Sequence, residues 1–181
     1  MNEAFIGLGS NLGDRLANLS TAVGLLAAEP GFAFRRVSLA YESEPIGPPQ
    51  PRYLNAVAQV GTLLSPRVTL QRLQAIEEQM GRIRRERWGS REIDLDLLLY
   101  GSRVVEETGL YIPHPLLQGR AFALVPLAEI APGLVLPRTS LAVAAARDRL
   151  PPEQLAGVLP YRPIRPPLSG PPGDDEAPRR E

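Results

Sequence analysis

An α+β sandwich with a mainly antiparallel sheet is the fold this chain predicts, and three observations predict it. Apolar spacing switches between strand and helix periods in the order strand, helix, strand, then strand, helix, strand. Each helical stretch carries a single apolar stripe, which suits a helix laid over one face of a sheet. Between the two units Pro45, Pro48, Pro49 and Pro51 crowd together, too densely for a strand interior.

The elements follow in order. Residues 4–8 read as a strand, ended by Gly7-Leu8-Gly9-Ser10-Asn11-Leu12-Gly13, whose glycines suit a tight strand-to-helix turn. Leu16, Leu19, Val23 and Leu26 then mark a helix face, with Asn11 or Asp14 as candidate cap and Pro30-Gly31 as its stop. Residues 32–41 are a strand, 42–52 a loop and 53–63 a further strand. Ser65-Pro66 opens the second helix, with Leu70, Leu73, Ile76 and Met80 as its buried stripe. Glu77 falls on that same side; it is either a stripe-edge carboxylate snorkelling to water or one committed to a site. Residues 93–100 are a strand, Gly101-Ser102 turns into a short ribbon reaching Ile112, and 121–130 and 141–150 are helical. Two such units give a ferredoxin-like βαββαβ arrangement with helices over one face and C-terminal additions. Residues 1–160 form the domain, and the proline-rich residues 161–181 are expected to be a disordered tail.

Composition excludes several chemistries. The 181 residues hold no cysteine, so disulfides, thiolate nucleophiles and cysteine-ligated zinc are out. His114 is the one histidine, which removes multi-histidine metal sites. All 20 basic residues are arginine, and without lysine there is neither a Walker-type phosphate loop nor Schiff-base chemistry. Basic and acidic residues balance at a net charge of zero, which disfavours nucleic acid or an anionic membrane as partner. No signal peptide or membrane span is apparent, so a cytoplasmic location is expected; a monomer is a separate expectation.

The most informative stretch is residues 81–100. Arg82, Arg84, Arg85, Arg87 and Arg91 fall within ten residues, bounded by Gly81 and Gly89 and enclosing Trp88, the only tryptophan. The strand that follows carries Asp94 and Asp96. Alternation puts both on one face, roughly 6.5–7 Å apart along the backbone. Two like charges on a half-buried surface repel unless a cation lies between them. Carboxylate oxygens suit magnesium, whose shell is completed by phosphates, and guanidinium groups are natural phosphate partners. The pattern predicts a metal–polyphosphate site.

The run from Arg87 to Leu98, Arg-Trp-Gly-Ser-Arg-Glu-Ile-Asp-Leu-Asp-Leu-Leu, resembles the signature of the 6-hydroxymethyl-7,8-dihydropterin pyrophosphokinases of folate biosynthesis. Further blocks resemble the same family in order: Gly9 to Gly13, Glu42 to Gly47, Tyr53-Leu54-Asn55-Ala56, Glu77 to Arg84, Pro113-His114-Pro115, Arg120-Ala121-Phe122, Pro126-Leu127 and Glu129 to Pro132. The chain departs from the pattern at Gly109 and Pro115, where many relatives carry a basic and an aromatic residue. The resemblance implies pyrophosphate transfer from ATP, with magnesium, to the pterin hydroxymethyl group, releasing AMP. It implies Asp94 and Asp96 as ligands of two magnesium ions, and Arg82 and Arg91 as the catalytic arginines. For ATP it implies Gln74, Glu77, Arg84, Trp88, Leu97, His114 and Arg120. For the pterin it implies Ser43, Ile46, Asn55 and Trp88, with Tyr53 and Phe122 as an aromatic clamp; alone, those two aromatics would be read as core.

Two other classes fit parts of the pattern. A dinucleotide-binding oxidoreductase would use the glycines after the first strand, and Arg35-Arg36 on a 2′-phosphate, but the glycine spacing is off by one and the two aspartates stay unexplained. A small RNA-binding module would use the sheet and basic loop, against the zero net charge.

Overall fold

The computed structural model describes residues 1–81 and 92–166. Its elements are β1 (Asn2–Ser10), α1 (Arg15–Ala28), β2 (Phe32–Val37), β3 (Ala40–Ser43), β4 (Tyr53–Thr62), α2 (Pro66–Gln79), β5 (Asp94–Tyr100), β6 (Val105–Glu107), β7 (Leu110–Ile112), α3 (Ala121–Ile130), α4 (Val143–Asp148), α5 (Pro152–Ala156) and β8 (Val158–Arg162). The main sheet runs β5-β1-β4-β3-β8, with β2 also on β4, and every pairing is antiparallel. This is the expected α+β, ferredoxin-like plan with C-terminal additions. No helix among the described residues is long and apolar enough to cross a membrane.

The caps show why the helices start where they do. The Asp14 carboxylate accepts from Ala17 N at 3.0 Å, so Asp14 rather than Asn11 caps α1. Ser65 accepts from Val68 N at 3.3 Å ahead of Pro66, whose missing N–H costs nothing at a first-turn position. In α2 Leu73 and Ile76 are fully committed to the core, whereas Leu70 and Met80 pack at its margin.

Strand alternation splits the interior into two cores. Ala4, Ile6, Leu8, Leu95 and Leu97 face Leu19, Val23, Leu26, Leu73 and Ile76 of α1 and α2. Phe5, Val57, Leu98 and Leu99 face Leu117, Leu124, Leu127 and Val143 on the α3 side. Strict alternation would put Leu99 on the face of Ile93, Leu95 and Leu97. The pairing instead slips between Phe5 and Ile6: Leu97 opposes Ile6, Leu99 opposes Phe5, and Leu98 is an extra residue between them. That bulge turns Leu98 and Leu99 to one side and returns Tyr100 to the first core.

The strand expected over 32–41 is interrupted at Ser38-Leu39. Ser38 Oγ accepts from Val57 N at 3.0 Å and donates to Leu39 O at 2.8 Å. Leu39 N and Tyr41 OH donate to the Glu129 carboxylate of α3, at 3.1 and 2.9 Å to Oε2. Burial first, and then this bond, push the Tyr41 phenol up to about 12, which keeps it a donor. β3 also runs to Ser43, shortening the expected loop to 44–52. At the C-terminus β8 pairs with β3 across the boundary expected between 160 and 161, and Ile164 is buried in the first core. Residues 167–181, most of the expected tail, lie outside the described residues.

Leu124 is fully buried under the sheet, so Leu124→Ala should cost about 2–5 kcal/mol in urea denaturation. Leu63→Ala, at a side chain 78% exposed, should change stability by less than about 0.5 kcal/mol.

Candidate functional site

Three strands build the floor of a cleft of about 360 Å³ on the α3 side of the sheet. Gly9 of β1 pairs with Asp94 of β5 on one side and with Asn55 of β4 on the other; Gly7 pairs likewise with Asp96 and Val57. Directly opposed residues share a face, so Asp94, Gly9 and Asn55 form one row, with Asp94 and Asn55 roughly 9–10 Å apart across it. The glycines keep that floor bare. A Cβ on Gly9 would stand 3.7 Å from Asn55 Oδ1 and 3.8 Å from Tyr53 Cδ1, and one on Gly7 would stand 3.3 Å from Leu98 Cδ1. Sequence reading assigned Gly7 and Gly9 to the strand-to-helix turn; they lie inside β1, and Gly13, at φ +63°, serves the turn.

The end of the cleft over β3 and β4 is tied together by hydrogen bonds. Asn55 is only 6% exposed, and its Nδ2 donates to Ser43 Oγ at 2.8 Å. Tyr53 OH donates to Gln50 Oε1 at 3.5 Å, and Asn11 Nδ2 donates to the same oxygen at 3.0 Å and to Pro51 O at 3.3 Å. Asn11, one of the two expected caps, thus reaches across to the 44–52 loop. Arg15 adds a 2.9 Å ion pair to Glu42 and a 2.9 Å bond to Arg52 O, while Arg52 pairs with both Glu42 and Glu44. Ile46, Glu44 and Gln50 of this loop line the cleft.

The segment after β7 forms the opposite wall. His114 N donates to Leu98 O at 2.9 Å, setting the imidazole against β5. Its Nδ1 accepts from Leu116 N at 3.3 Å, which places the proton of the neutral ring on Nε2. Burial, and secondarily the charge of Arg120, hold the His114 pKa below its ordinary value, against the pull of Asp94. Arg120 lies over the Phe122 ring, 5.4 Å from Cζ to the centroid. Burial lowers the Arg120 pKa as well, and Asp96 and Asp94 both oppose that shift, so one guanidinium sits within electrostatic reach of both carboxylates.

Ser43, Ile46, Tyr53, Asn55, Asp94, Asp96, His114, Arg120 and Phe122 therefore line one cleft, as the sequence grouped them. Gln74, Glu77 and Leu97 do not line it. Gln74 is exposed on α2. Leu97, 4% exposed, turns its side chain into the first core, so any ligand contact it makes is through the backbone. Glu77 is also 4% exposed, which overturns the snorkelling reading; its Oε1 accepts from Leu95 N at 2.7 Å. Arg82, Arg84, Trp88 and Arg91 lie outside the described residues, as do Arg85 and Arg87. Sequence reasoning missed Gln50, Leu116 and Leu117 as lining residues. The two strand glycines had a signal: Gly7 and Gly9 share a face with no side chain to pack.

The acidic pair suits magnesium. Among the described residues no three or more acidic, histidine or cysteine side chains gather around a common point. Magnesium needs only one or two carboxylates when phosphate and water complete its shell.

Being the sole histidine, His114 gives one resolvable imidazole titration. Its NMR midpoint should fall below about 6.5, the value of an unperturbed imidazole. The unfolded chain then takes the proton first, so stability should fall as pH drops from about 6.5 toward the lower folded value. A midpoint at or above 6.5 contradicts the burial argument.

Comparison with known proteins places the chain in a family. Residues 5–132 match the family model described as 7,8-dihydro-6-hydroxymethylpterin-pyrophosphokinase. A 2-amino-4-hydroxy-6-hydroxymethyldihydropteridine pyrophosphokinase of Synechocystis is 51% identical over 136 residues, covering 75% of this chain and 70% of the relative. That of Haemophilus influenzae is 44% identical over 142 residues, covering 78% of this chain and 89% of the relative. Among solved structures, a Plasmodium falciparum HPPK-DHPS triple mutant superposes with a TM-score of 0.65 at 16% identity, over 82% of this chain and 43% of that one. An HPPK-DHPS in complex with substrates gives 0.64 at 14% identity, over 81% and 43%. This chain thus spans less than half of those longer proteins, and at such identity the likeness speaks for the fold. On the sequence matches, the chain belongs to the 7,8-dihydro-6-hydroxymethylpterin-pyrophosphokinase family.

Proposed function

We propose that this cleft binds 6-hydroxymethyl-7,8-dihydropterin and ATP side by side, and that its acidic row serves the reaction of the family. That reaction, a step of folate biosynthesis, transfers pyrophosphate from ATP to the pterin hydroxymethyl group and releases AMP. One observation carries the reading: Asp94 and Asp96 open onto the same bare floor as Asn55, with His114 and Arg120 on the facing wall.

A flat heterocycle with donors and acceptors on its edge needs stacking and a fixed amide. Tyr53 and Phe122 are assigned to its two faces, Asn55 to its edge, and Ser43 and Ile46 to its margin. The hydroxymethyl oxygen attacks the β-phosphorus and loses its proton. The bond from that phosphorus to the oxygen shared with the α-phosphate breaks, and AMP leaves with the electron pair. Asp94 and Asp96 are assigned to magnesium, expected as two ions, which supplies neutralisation of the phosphate charge. Arg120 holds the triphosphate from the facing wall, and His114 is placed to donate Nε2–H to a phosphate oxygen. Gln74, Glu77 and the Leu97 backbone are assigned to the nucleoside. Arg82 and Arg91 are assigned to the departing pyrophosphate, Arg84 to the triphosphate and Trp88 to closure. These seven assignments rest on the resemblance.

Neither rival survives. The sheet is antiparallel and the glycines sit within β1, so among the described residues there is no parallel crossover with a glycine turn for a dinucleotide. Helices pack on both faces of the sheet, and the floor left open between them carries Asp94 and Asp96, which repel a polyanionic RNA backbone.

With ATP, magnesium and the hydroxymethyl pterin, ³¹P NMR should show AMP and a pterin diphosphate; ADP as the nucleotide product would overturn attack at the β-phosphorus. Asp96→Ala should keep its circular dichroism spectrum while losing roughly 10²–10³-fold or more in kcat, the scale for removing transition-state charge stabilisation.

A further inference from the structure

We propose that Glu77 is a positioning residue that sets the spacing of Asp94 and Asp96 by clamping the residue between them. This rests on the reading of those aspartates as the metal pair and adds a second role to the side chain. Among the described residues β5 is an edge strand, paired only with β1. In an antiparallel strand the polar groups of successive residues point to opposite sides. Leu95 N points away from β1, because it donates to Glu77 Oε1 at 2.7 Å. Asp94 and Asp96 are therefore the residues bonded to β1, and Glu77 holds the intervening one from the outside. The accepting carboxylate is buried, so water does not compete for the bond and it is stiff. Its base is stiff as well: Leu73 and Ile76 of α2 are locked in the same core as the Leu95 side chain. The distance between the two carboxylates follows from the pleat at Leu95, and without Glu77 that N–H would be buried and unpaired.

The test uses the intact chain, Mn²⁺ and inorganic tripolyphosphate, a ligand with no ribose. Mn²⁺ uptake is followed by electron paramagnetic resonance, and Leu95 amide exchange by NMR. Glu77→Gln keeps an acceptor oxygen and should keep Leu95 protected, with uptake within about twofold of wild type. Glu77→Ala should release the Leu95 amide and weaken uptake roughly tenfold, about 1.4 kcal/mol. A Glu77→Ala protein with wild-type uptake overturns the proposal, because a ribose contact alone would leave tripolyphosphate binding untouched. A Glu77→Gln protein that loses uptake also overturns it, since charge rather than the clamp would then be responsible. Should the alanine variant not fold, the glutamine variant still decides by these two readouts. Absence of Mn²⁺ uptake in wild type would instead sink the metal reading, while Leu95 exchange still judges the clamp: equal exchange in wild type and Glu77→Ala rejects it.

Discussion

The alternation of side chains along β5 is the constraint from which the site follows. Leu95 and Leu97 are driven into the core under α1 and α2, and the residues flanking Leu95 must then face the other way. Two carboxylates are brought onto one surface by the burial of the leucine between them. A one-residue slip would bury the acids and expose the leucines. Register is held by β1 on one side and, around Leu95, by Glu77 on the other. The bulge at Leu98 lies beyond the acidic pair, so the strand can repack its distal end against α3 without disturbing them.

Electrostatics fit the same arrangement. Arg120 is the cation on the described wall of the cleft, and it faces two carboxylates. A guanidinium beside the pair offsets part of their repulsion while the cleft is empty. Under the proposed function it becomes a phosphate partner once bound metal neutralises the acids. Burial keeps His114 neutral, and the bond from Leu116 N fixes its tautomer. A neutral ring with its proton on Nε2 is a donor that adds no positive charge to the cleft.

Much of this was legible in the chain because it depends on local periodicity. The Asp-Leu-Asp spacing and the Ser65-Pro66 helix start carry their meaning within a few residues, whereas Tyr53 and Phe122 are assigned to the cleft only through the family resemblance. What escaped depends on contacts distant in sequence. The bulge that turns Leu99 is set by pairing with Phe5, ninety residues and more away, and no local pattern encodes it. Gly7 and Gly9 resembled a turn because glycine suits a turn and equally a strand whose face must stay bare. Glu77 looked misplaced on an apolar stripe because its partner is a backbone N–H, which carries no side-chain signature. The break at Ser38-Leu39 likewise rests on Glu129 of α3.

The two ends of the cleft are prepared differently, in a way that suits the substrates proposed for them. Over β3 and β4 the protein satisfies its own polar groups: Asn55 leans on Ser43, and Tyr53 on Gln50, which Asn11 holds in turn. A neutral flat ring offers only stacking and a few hydrogen bonds, so ordering the receiving groups beforehand keeps the entropy cost of binding low. Over β5 the groups are charges of both signs, Asp94 and Asp96 against Arg120. A polyphosphate with its cations brings strong interactions that can compensate for ordering on arrival. The family's arginine-rich run belongs to that second end in sequence, immediately ahead of Asp94. Preorganisation is thus concentrated where binding energy is scarce, and charge where it is plentiful.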